Sequence, residues 1–356
     1  MVSHTHVDDD RLVERVARIC ARADEPLPLL EHVARIVRRH IPYAVAGWLL
    51  VDPDTLLITG VYEEDVPREA HLALIELELT VDDVNKFVDL SRGRQAAAAL
   101  SEATGGHLDR SARWARVYRP RGYGDEMRAV FRAGQVTWGH VCMTRKADDP
   151  WFTRREIDVM ARLSSHVAHG LRAGLLLHDL DTSTDQEPAM VVLDDDGSVR
   201  TATDRAQRWL GSIACSRLDS SVVVHEVAAQ ARALADGERS GPPAVARTQG
   251  SSGEWLLVRG MRLDSASTAV VLEPARRADI APLLLHLHEL TPREQEVTQL
   301  LLMGMDTADV AQELWITPET LRGHIKSIFA KLGVNSRPEL LARLQHQPRV
   351  HVASSG

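Results

Sequence analysis

Leu29, Leu30, Val33, Ile36, Val37 and His40 recur at three- and four-residue steps, which lays one apolar stripe along a helix. With the stretch before it, residues 11–40 read as two helices. From Ala44 the period changes. Residues 44–51 and 55–62 are short runs rich in Val, Ile, Leu and Trp, separated by Asp52-Pro53-Asp54, and they predict a hairpin. Helices are predicted over 68–79 and 81–90, strands over 126–132 and 136–144 around Ala133-Gly134-Gln135, and a long amphipathic helix over 153–178. Helices packed on an antiparallel sheet make a first α+β domain of roughly 150 residues.

The polar run from Asp181 to Glu187, ending at Pro188, predicts a linker. A second hairpin follows, 189–193 and 198–202 around Asp194-Asp195-Asp196-Gly197, then helices over 204–210 and 221–234. An edge strand at 244–248 and strands at 255–263 and 268–272 complete a second α+β unit of roughly 85 residues with the same general layout as the first. The predicted division is therefore 1–180, linker 181–187, 188–275, connector 276–289, a helical domain 290–347 and a tail 348–356.

From Leu290 onward the pattern is purely helical. Thr291-Pro292-Arg293-Glu294 is a capping box with Pro at the first helical position, Gly304 stops that helix, and Asp306 caps a short one over 307–314. Trp315-Ile316-Thr317 is a turn, Thr317-Pro318 opens a helix to Leu332 closed by Gly333, and Ser336-Arg337-Pro338-Glu339 is a second capping box for a last helix that ends near Gln345. On the helix from Pro318, Leu321, Ile325, Ile328, Phe329 and Leu332 share one face, predicted to be core. Opposite lie Glu319, Gly323, Lys326 and Ala330, flanked by Thr320, Arg322 and Ser327. Small residues there let a helix approach base edges, and Arg322 and Lys326 reach phosphate or guanine. A short helix, a tight turn and a longer helix of this kind make a helix-turn-helix.

The runs Leu290 to Val297, Val310-Ala311, Ile316 to Ile328, Lys331 to Val334 and Arg337 together resemble the LuxR-type (GerE-like) four-helix DNA-binding domain. The resemblance implies a dimer that binds double-stranded DNA with the helix from Pro318 in the major groove. It also implies DNA contacts at Thr317, Thr320, Arg322, Gly323, Lys326, Ser327 and Lys331. Where members often open the second helix with Asn-Lys or Asn-Arg, this chain has Thr307-Ala308. The upstream units resemble GAF-like (about 11–178) and PAS-like (about 188–273) sensory domains. The first rests on Gly122 to Met127, Trp138-Gly139-His140 and Phe152 to Glu156. The fold class is thus two α+β domains followed by an all-α four-helix domain, a layout that resembles an actinobacterial type of regulator.

The 356 residues carry 42 Lys and Arg against 50 Asp and Glu, a formal charge of −8, which argues against coating nucleic acid or anionic lipid through bulk charge. Within 290–347 six basic residues face seven acidic ones, whereas 318–332 alone has Arg322, Lys326 and Lys331 against Glu319, so one helix is basic and binding is expected to depend on dimerisation. The odd set Cys20, Cys142 and Cys215 sits among apolar neighbours and predicts reduced, buried thiols. No apolar run approaches a membrane span and no secretory signal opens the chain, so a cytoplasmic location without membrane contact is expected.

Gly122-Tyr123-Gly124 lacks a third glycine and runs into Asp125 and Glu126, so it reads as a turn rather than a phosphate loop. His166, His169 and His178 lack a carboxylate or thiol to complete a metal set. No catalytic residue, metal or cofactor is assigned, and the chain is read as a non-enzyme. Tyr43, Trp48, Tyr62, Trp114, Tyr118, Tyr123 and Trp138 are assigned to core packing ahead of a ligand pocket. The reading is a regulator in which an effector shifts dimer spacing through the 153–178 helix and the 280–289 connector, with a small-molecule effector and RNA polymerase as candidate partners. The alternative readings are a sensory scaffold whose helical tail docks another regulator and an enzyme that uses the GAF-like fold.

Overall fold

Alternation along the strands of the first module decides which side of its sheet each residue serves, because successive side chains point to opposite faces. The computed structural model describes residues 2–22, 24–177, 187–212, 221–238, 240–250 and 253–345. The first module contains α1 (Val2–Cys20), α2 (Pro26–His40), β1 (Val45–Val51), β2 (Ile58–Glu64), α3 (Arg68–Thr80), α4 (Phe87–Arg92), β3 (Ala97–Ala99), α5 (Leu100–Ala103), β4 (Tyr123–Ala133), β5 (Val136–Lys146) and α6 (Arg154–Leu175). Its antiparallel sheet has the order β2-β1-β5-β4-β3. Trp48 stacks on Phe131 with ring centroids 5.8 Å apart. A Cβ at Gly139 would meet Leu171 of α6 at 2.9 Å, so this face needs a glycine where the helix packs down. Gly47, Leu49, Arg128, His140 and Cys142, on the alternate positions, line a cavity on the opposite face. Thr153 opens α6 with a two-way capping box to Glu156.

Two expectations for this module change. Residues 81–86 are not helical: Asn85 takes the left-handed conformation at φ 56, and Asp83 accepts from the Ser111 hydroxyl and the Arg113 backbone N–H, 2.9 Å each. Helix begins only at Phe87. The long helix predicted to His178 is α6, which ends at Leu175, and His178 lies outside the described residues.

The second module contains β6 (Ala189–Asp194), β7 (Val199–Ala202), α7 (Asp204–Ser212), α8 (Ser221–Ala235), β8 (Val245–Gln249), β9 (Trp255–Asp264) and β10 (Ser267–Pro274). Its sheet runs β7-β6-β10-β9-β8, the same order as the first when the strands are counted from their own beginning. The predicted linker, 181–187, lies outside the described residues except for Glu187, and Cys215 lies outside them as well. The two modules share apolar cores. Leu57 of the β1–β2 hairpin packs into the cluster of Val191, Val223, Val227 and Val258, while Val222 and Ala229 of α8 join Leu49, Ile75, Phe87 and Val130. Thr248 Oγ1 donates to the Thr59 carbonyl at 2.7 Å, and Arg247 Nη1 reaches the buried Asp52 carboxylate at 2.9 Å.

The chain divides into two compact units between Glu273 and Pro274, and the second is helical. It holds α9 (Arg277–Leu287), α10 (Pro292–Leu302), α11 (Thr307–Glu313), α12 (Pro318–Leu332) and α13 (Arg337–Gln345). The stretch predicted as a connector is mostly helix. α9 carries Pro282 inside it and packs on α13, where Arg277 Nη1 donates to the Arg343 carbonyl at 3.4 Å.

Candidate nucleic-acid interface

Each helix of the second unit starts where its side chains satisfy the backbone donors that a helix N-terminus leaves open. Thr291 Oγ1 accepts from the Glu294 N–H at 3.3 Å and the Glu294 carboxylate accepts from the Thr291 N–H at 2.7 Å, closing the capping box of α10. Asp306 Oδ1 accepts from Ala308 and Asp309 N–H at 2.8 and 2.9 Å. Thr317 Oγ1 accepts from the Thr320 N–H at 3.2 Å, and Gly333, at φ 63, closes α12. Leu321, Ile328 and Leu332 of α12 are buried with Val297, Leu301, Val310, Leu340 and Leu344 of its neighbours. Ile325 and Phe329, predicted in the core face, are half-buried, so the buried stripe is narrower than the apolar one.

The opposite face of α12 is open. Thr317, Thr320, Arg322, Gly323 and Lys326 are exposed, and Arg322 pairs with Glu319 across one turn at 2.5 Å. A Cβ at Gly323 would meet no protein atom within 4 Å, and the residue has no positive φ. Glycine inside a helix costs about 1 kcal/mol relative to alanine. Neither packing nor backbone geometry within the chain requires it here.

Ser327 and Lys331 are placed differently. Ser327 Oγ donates to Glu294 Oε1 and Lys331 Nζ to Glu294 Oε2, 2.6 Å each, and Lys331 also donates to the Glu289 carbonyl at 2.9 Å. Burial pushes the Glu294 carboxyl up, but the bonds from Lys331, Ser327 and the Thr291 N–H with the Lys331 charge outweigh it and hold the group at about 2. These two residues tie α12 to α10, whereas Arg322 and Lys326 point away from the domain core. Trp315, in the turn before α12, is 94% exposed and takes φ 54. The signal for it was available: a large apolar residue outside the periodic stripe of either flanking helix.

In the first unit the remaining sequence candidates fall as follows. Gly122 is a left-handed turn residue at φ 73, and a Cβ at Gly124 would meet the Lys146 carbonyl at 2.9 Å. No group of three or more metal-ligating side chains occurs among the described residues, and no described helix is long and apolar enough to cross a membrane. Trp48 and Trp138 are fully buried, while Tyr118 lines the cavity. Cys20 is buried and its thiol is pushed up to about 12 by desolvation, and Cys142 is half-buried.

Short helix, turn, longer helix with one open basic face, and a helix packed on either side: this is a four-helix domain of the helix-turn-helix class. Residues 288–344 match the family described as bacterial regulatory proteins, luxR family. The chain is 42% identical to the spore germination protein GerE of Bacillus subtilis (strain 168) over 55 residues, 15% of this chain and 74% of that protein. It is 38% identical over 52 residues to a putative HTH-type transcriptional regulator of Mycobacterium tuberculosis (strain ATCC 25618 / H37Rv), a match that covers 15% of this chain and 6% of that protein. Among solved structures, the GAF domain/HD domain protein from Geobacter sulfurreducens is 18% identical, with a TM-score of 0.35, over 44% of this chain and 99% of that one. The chain belongs to the luxR family of bacterial regulatory proteins.

Proposed function

We propose that this chain is a sequence-specific DNA-binding transcriptional regulator that acts as a homodimer and reads the major groove with α12. The observation that carries the reading is the open face of that helix. Thr317, Thr320, Arg322, Gly323 and Lys326 lie together, and Gly323 is a glycine for which the chain itself offers no reason. Close approach of a base edge supplies one, and the flanking Arg322 and Lys326 suit guanine and phosphate. Ser327 and Lys331 contact DNA from the edge of this face while staying anchored to Glu294.

The N-terminal modules act as the sensory part, GAF-like over 1–180 and PAS-like over 188–275, joined by a linker at 181–187. Residues 276–289 connect them to the DNA-binding domain at 290–347, and 348–356 form a tail. The identical strand order of the two sheets supports this pairing of related sensory folds. A small-molecule effector and RNA polymerase complete the partners, the protein works in the cytoplasm, and it carries no catalysis of its own.

The test is the salt dependence of binding to a selected DNA site. The logarithm of affinity is expected to fall linearly with the logarithm of salt at about 0.9 per neutralised phosphate. Arg322→Ala with Lys326→Ala, present twice in the dimer, is expected to flatten that slope by about two to four units. A slope and affinity unchanged in the double variant would sink the reading and favour a protein-docking tail.

A further inference from the structure

Five arginines fall within residues 110–121 of a chain whose formal charge is −8. Arg113 is buried, and Asp83 and Glu126 hold its charge at 3.4 and 2.8 Å. Arg110, Arg116 and Arg119 are exposed and Arg121 is half-buried, and none of these four has a carboxylate partner among the described residues. Arg110 Nη1 donates to the Thr104 carbonyl at 3.2 Å and Arg121 Nη1 to the Val117 carbonyl at 2.9 Å, bonds that leave the charge uncompensated. Strand pairing of Tyr123 with Lys146, and the Ala147 N–H donating to the Gly122 carbonyl at 2.9 Å, bring the exposed Lys146 alongside. The Asp149 carboxylate accepts from the Lys146 backbone N–H at 3.0 Å, not from its ammonium. Of the other acids, Asp109 is exposed in the same stretch, and Asp65, whose charge reaches Tyr123, pairs with Arg38 at 3.2 Å. Elsewhere in the module Arg128, Arg145, Arg154 and Arg155 each meet a carboxylate at 2.6 to 2.9 Å.

The backbone under this patch is irregular in a specific way. Trp114–Tyr118 is a π-helical turn between two 3₁₀ turns, Leu108–Arg110 and Arg119–Arg121. An α-helix bonds residues four apart, whereas a π-turn bonds residues five apart, and here the Arg119 N–H donates to the Trp114 carbonyl. The same spacing lays the Arg119 guanidinium over the Trp114 ring, 5.8 Å from its centroid. A guanidinium stacked on an aromatic face keeps its N–H edge for a partner in its own plane, and phosphate is met in that way. Like charges held this close repel one another, so nothing within the chain accounts for the cluster.

These cations are spread over the surface, which suits an extended polyanion better than a small anion. The DNA-binding domain also lacks what they offer: residues 290–347 carry six basic side chains against seven acidic ones, whereas phosphate neutralisation supplies most of the sequence-independent affinity for DNA. We propose that Arg116, Arg119, Arg121 and Lys146 form a second, sequence-independent DNA surface that grips the phosphate backbone of duplex outside the site read by α12. The inference deepens the regulator reading and rests on it for which DNA is held, while phosphate binding by the patch is measured apart from α12.

The test is the salt dependence of binding by the full-length chain, read by fluorescence anisotropy on three duplexes. These are a selected site in about 20 base pairs, the same site within about 60, and a random sequence of about 60. Arg116→Ala with Arg119→Ala and Arg121→Ala is expected to flatten the slope on both long duplexes by about three to five units for a dimer, and to leave the short one within about one unit. Lysine at the same three positions is expected to keep most of the slope, since the charge stays. Arg116→Glu, at a side chain with no hydrogen bond or ion pair among the described residues, is expected to weaken long-duplex binding at an unchanged melting temperature. Equal slopes for wild type and the triple alanine variant on the long duplexes would overturn the surface; if that variant has instead lost binding to poly-glutamate, the patch belongs to an acidic protein. An equal loss on the short duplex would overturn it too, because the arginines would then act on the site or the fold. A random duplex that responds to the arginines, with all affinities unmoved by Arg322→Ala plus Lys326→Ala, supports the surface and removes the reading of α12. The reverse pattern removes the surface and leaves the regulator.

Discussion

Glu294 does three jobs with one carboxylate: it caps α10, accepts from Ser327, and pairs with Lys331. Its carboxyl sits at about 2 in the fold against an ordinary value of 4.5. A lowered carboxylate adds stability that is complete above about pH 5 and is lost as pH falls toward 2, on the order of 3 kcal/mol by the worth of each pKa unit. Glu294→Gln is therefore expected to lower stability against urea at pH 7, and the gap to wild type is expected to close as pH approaches 2. A gap that stays constant over that range would contradict the assignment. Gly323 separates folding from function in the same domain. Gly323→Ala is expected to raise stability by up to about 1 kcal/mol, because no protein atom opposes the added methyl, while weakening specific DNA binding about tenfold or more. Urea unfolding and a gel-shift titration on the same preparation check both halves; a variant that is more stable and binds as well as wild type would show that nothing approaches this helix closely.

At the scale of elements, helix starts in the second unit were legible because capping is local: Thr291, Asp306 and Thr317 accept from N–H groups two or three residues on. Asp306→Ala is expected to cost about 1 kcal/mol in thermal or urea unfolding with little effect on the α12 face. The turn before α12 was legible as a turn, and the place of Trp315 outside either helical stripe hinted at its exposure, yet its positive φ was not legible, since that depends on which way the chain leaves α11. Helix period gave the face of α12, but only Leu321, Ile328 and Leu332 of that face are buried, while Ile325 and Phe329 at its margin stay half-buried. In the first unit, β3 escaped notice since Ala97, Ala98 and Ala99 carry no strand signal and are set by pairing with β4 at Met127 to Ala129. Residues 81–86 misled for the opposite reason. Their pattern permits a helix, and the long-range bonds of Asp83 and the left-handed Asn85 prevent it.

At the scale of the molecule, the order of strands and helices exposed two α+β modules of like layout, and their sheets do share one strand order. Their joining was invisible in sequence, because Leu57, Asp52 and Arg247 gain meaning only when the hairpin meets β8 across nearly 200 positions. Asp52 is buried with Arg247 as its cationic partner, and desolvation raises its carboxyl while Arg247 opposes the rise. Arg247→Met leaves that carboxylate buried without its cation and is expected to cost about 3–5 kcal/mol in the first unit, read by urea unfolding of the full chain. A change below 1 kcal/mol would mean that this ion pair does not contribute to holding the two modules together. The central claim, however, concerns the α12 face, and the most direct measurement is selection of genomic DNA fragments by the purified full-length protein beside its Arg322→Ala, Lys326→Ala variant. The account predicts a shared, roughly palindromic site enriched by the wild type and absent from the variant's pool. The same site enriched equally by both proteins, or no enrichment by the wild type even at low salt, would contradict it.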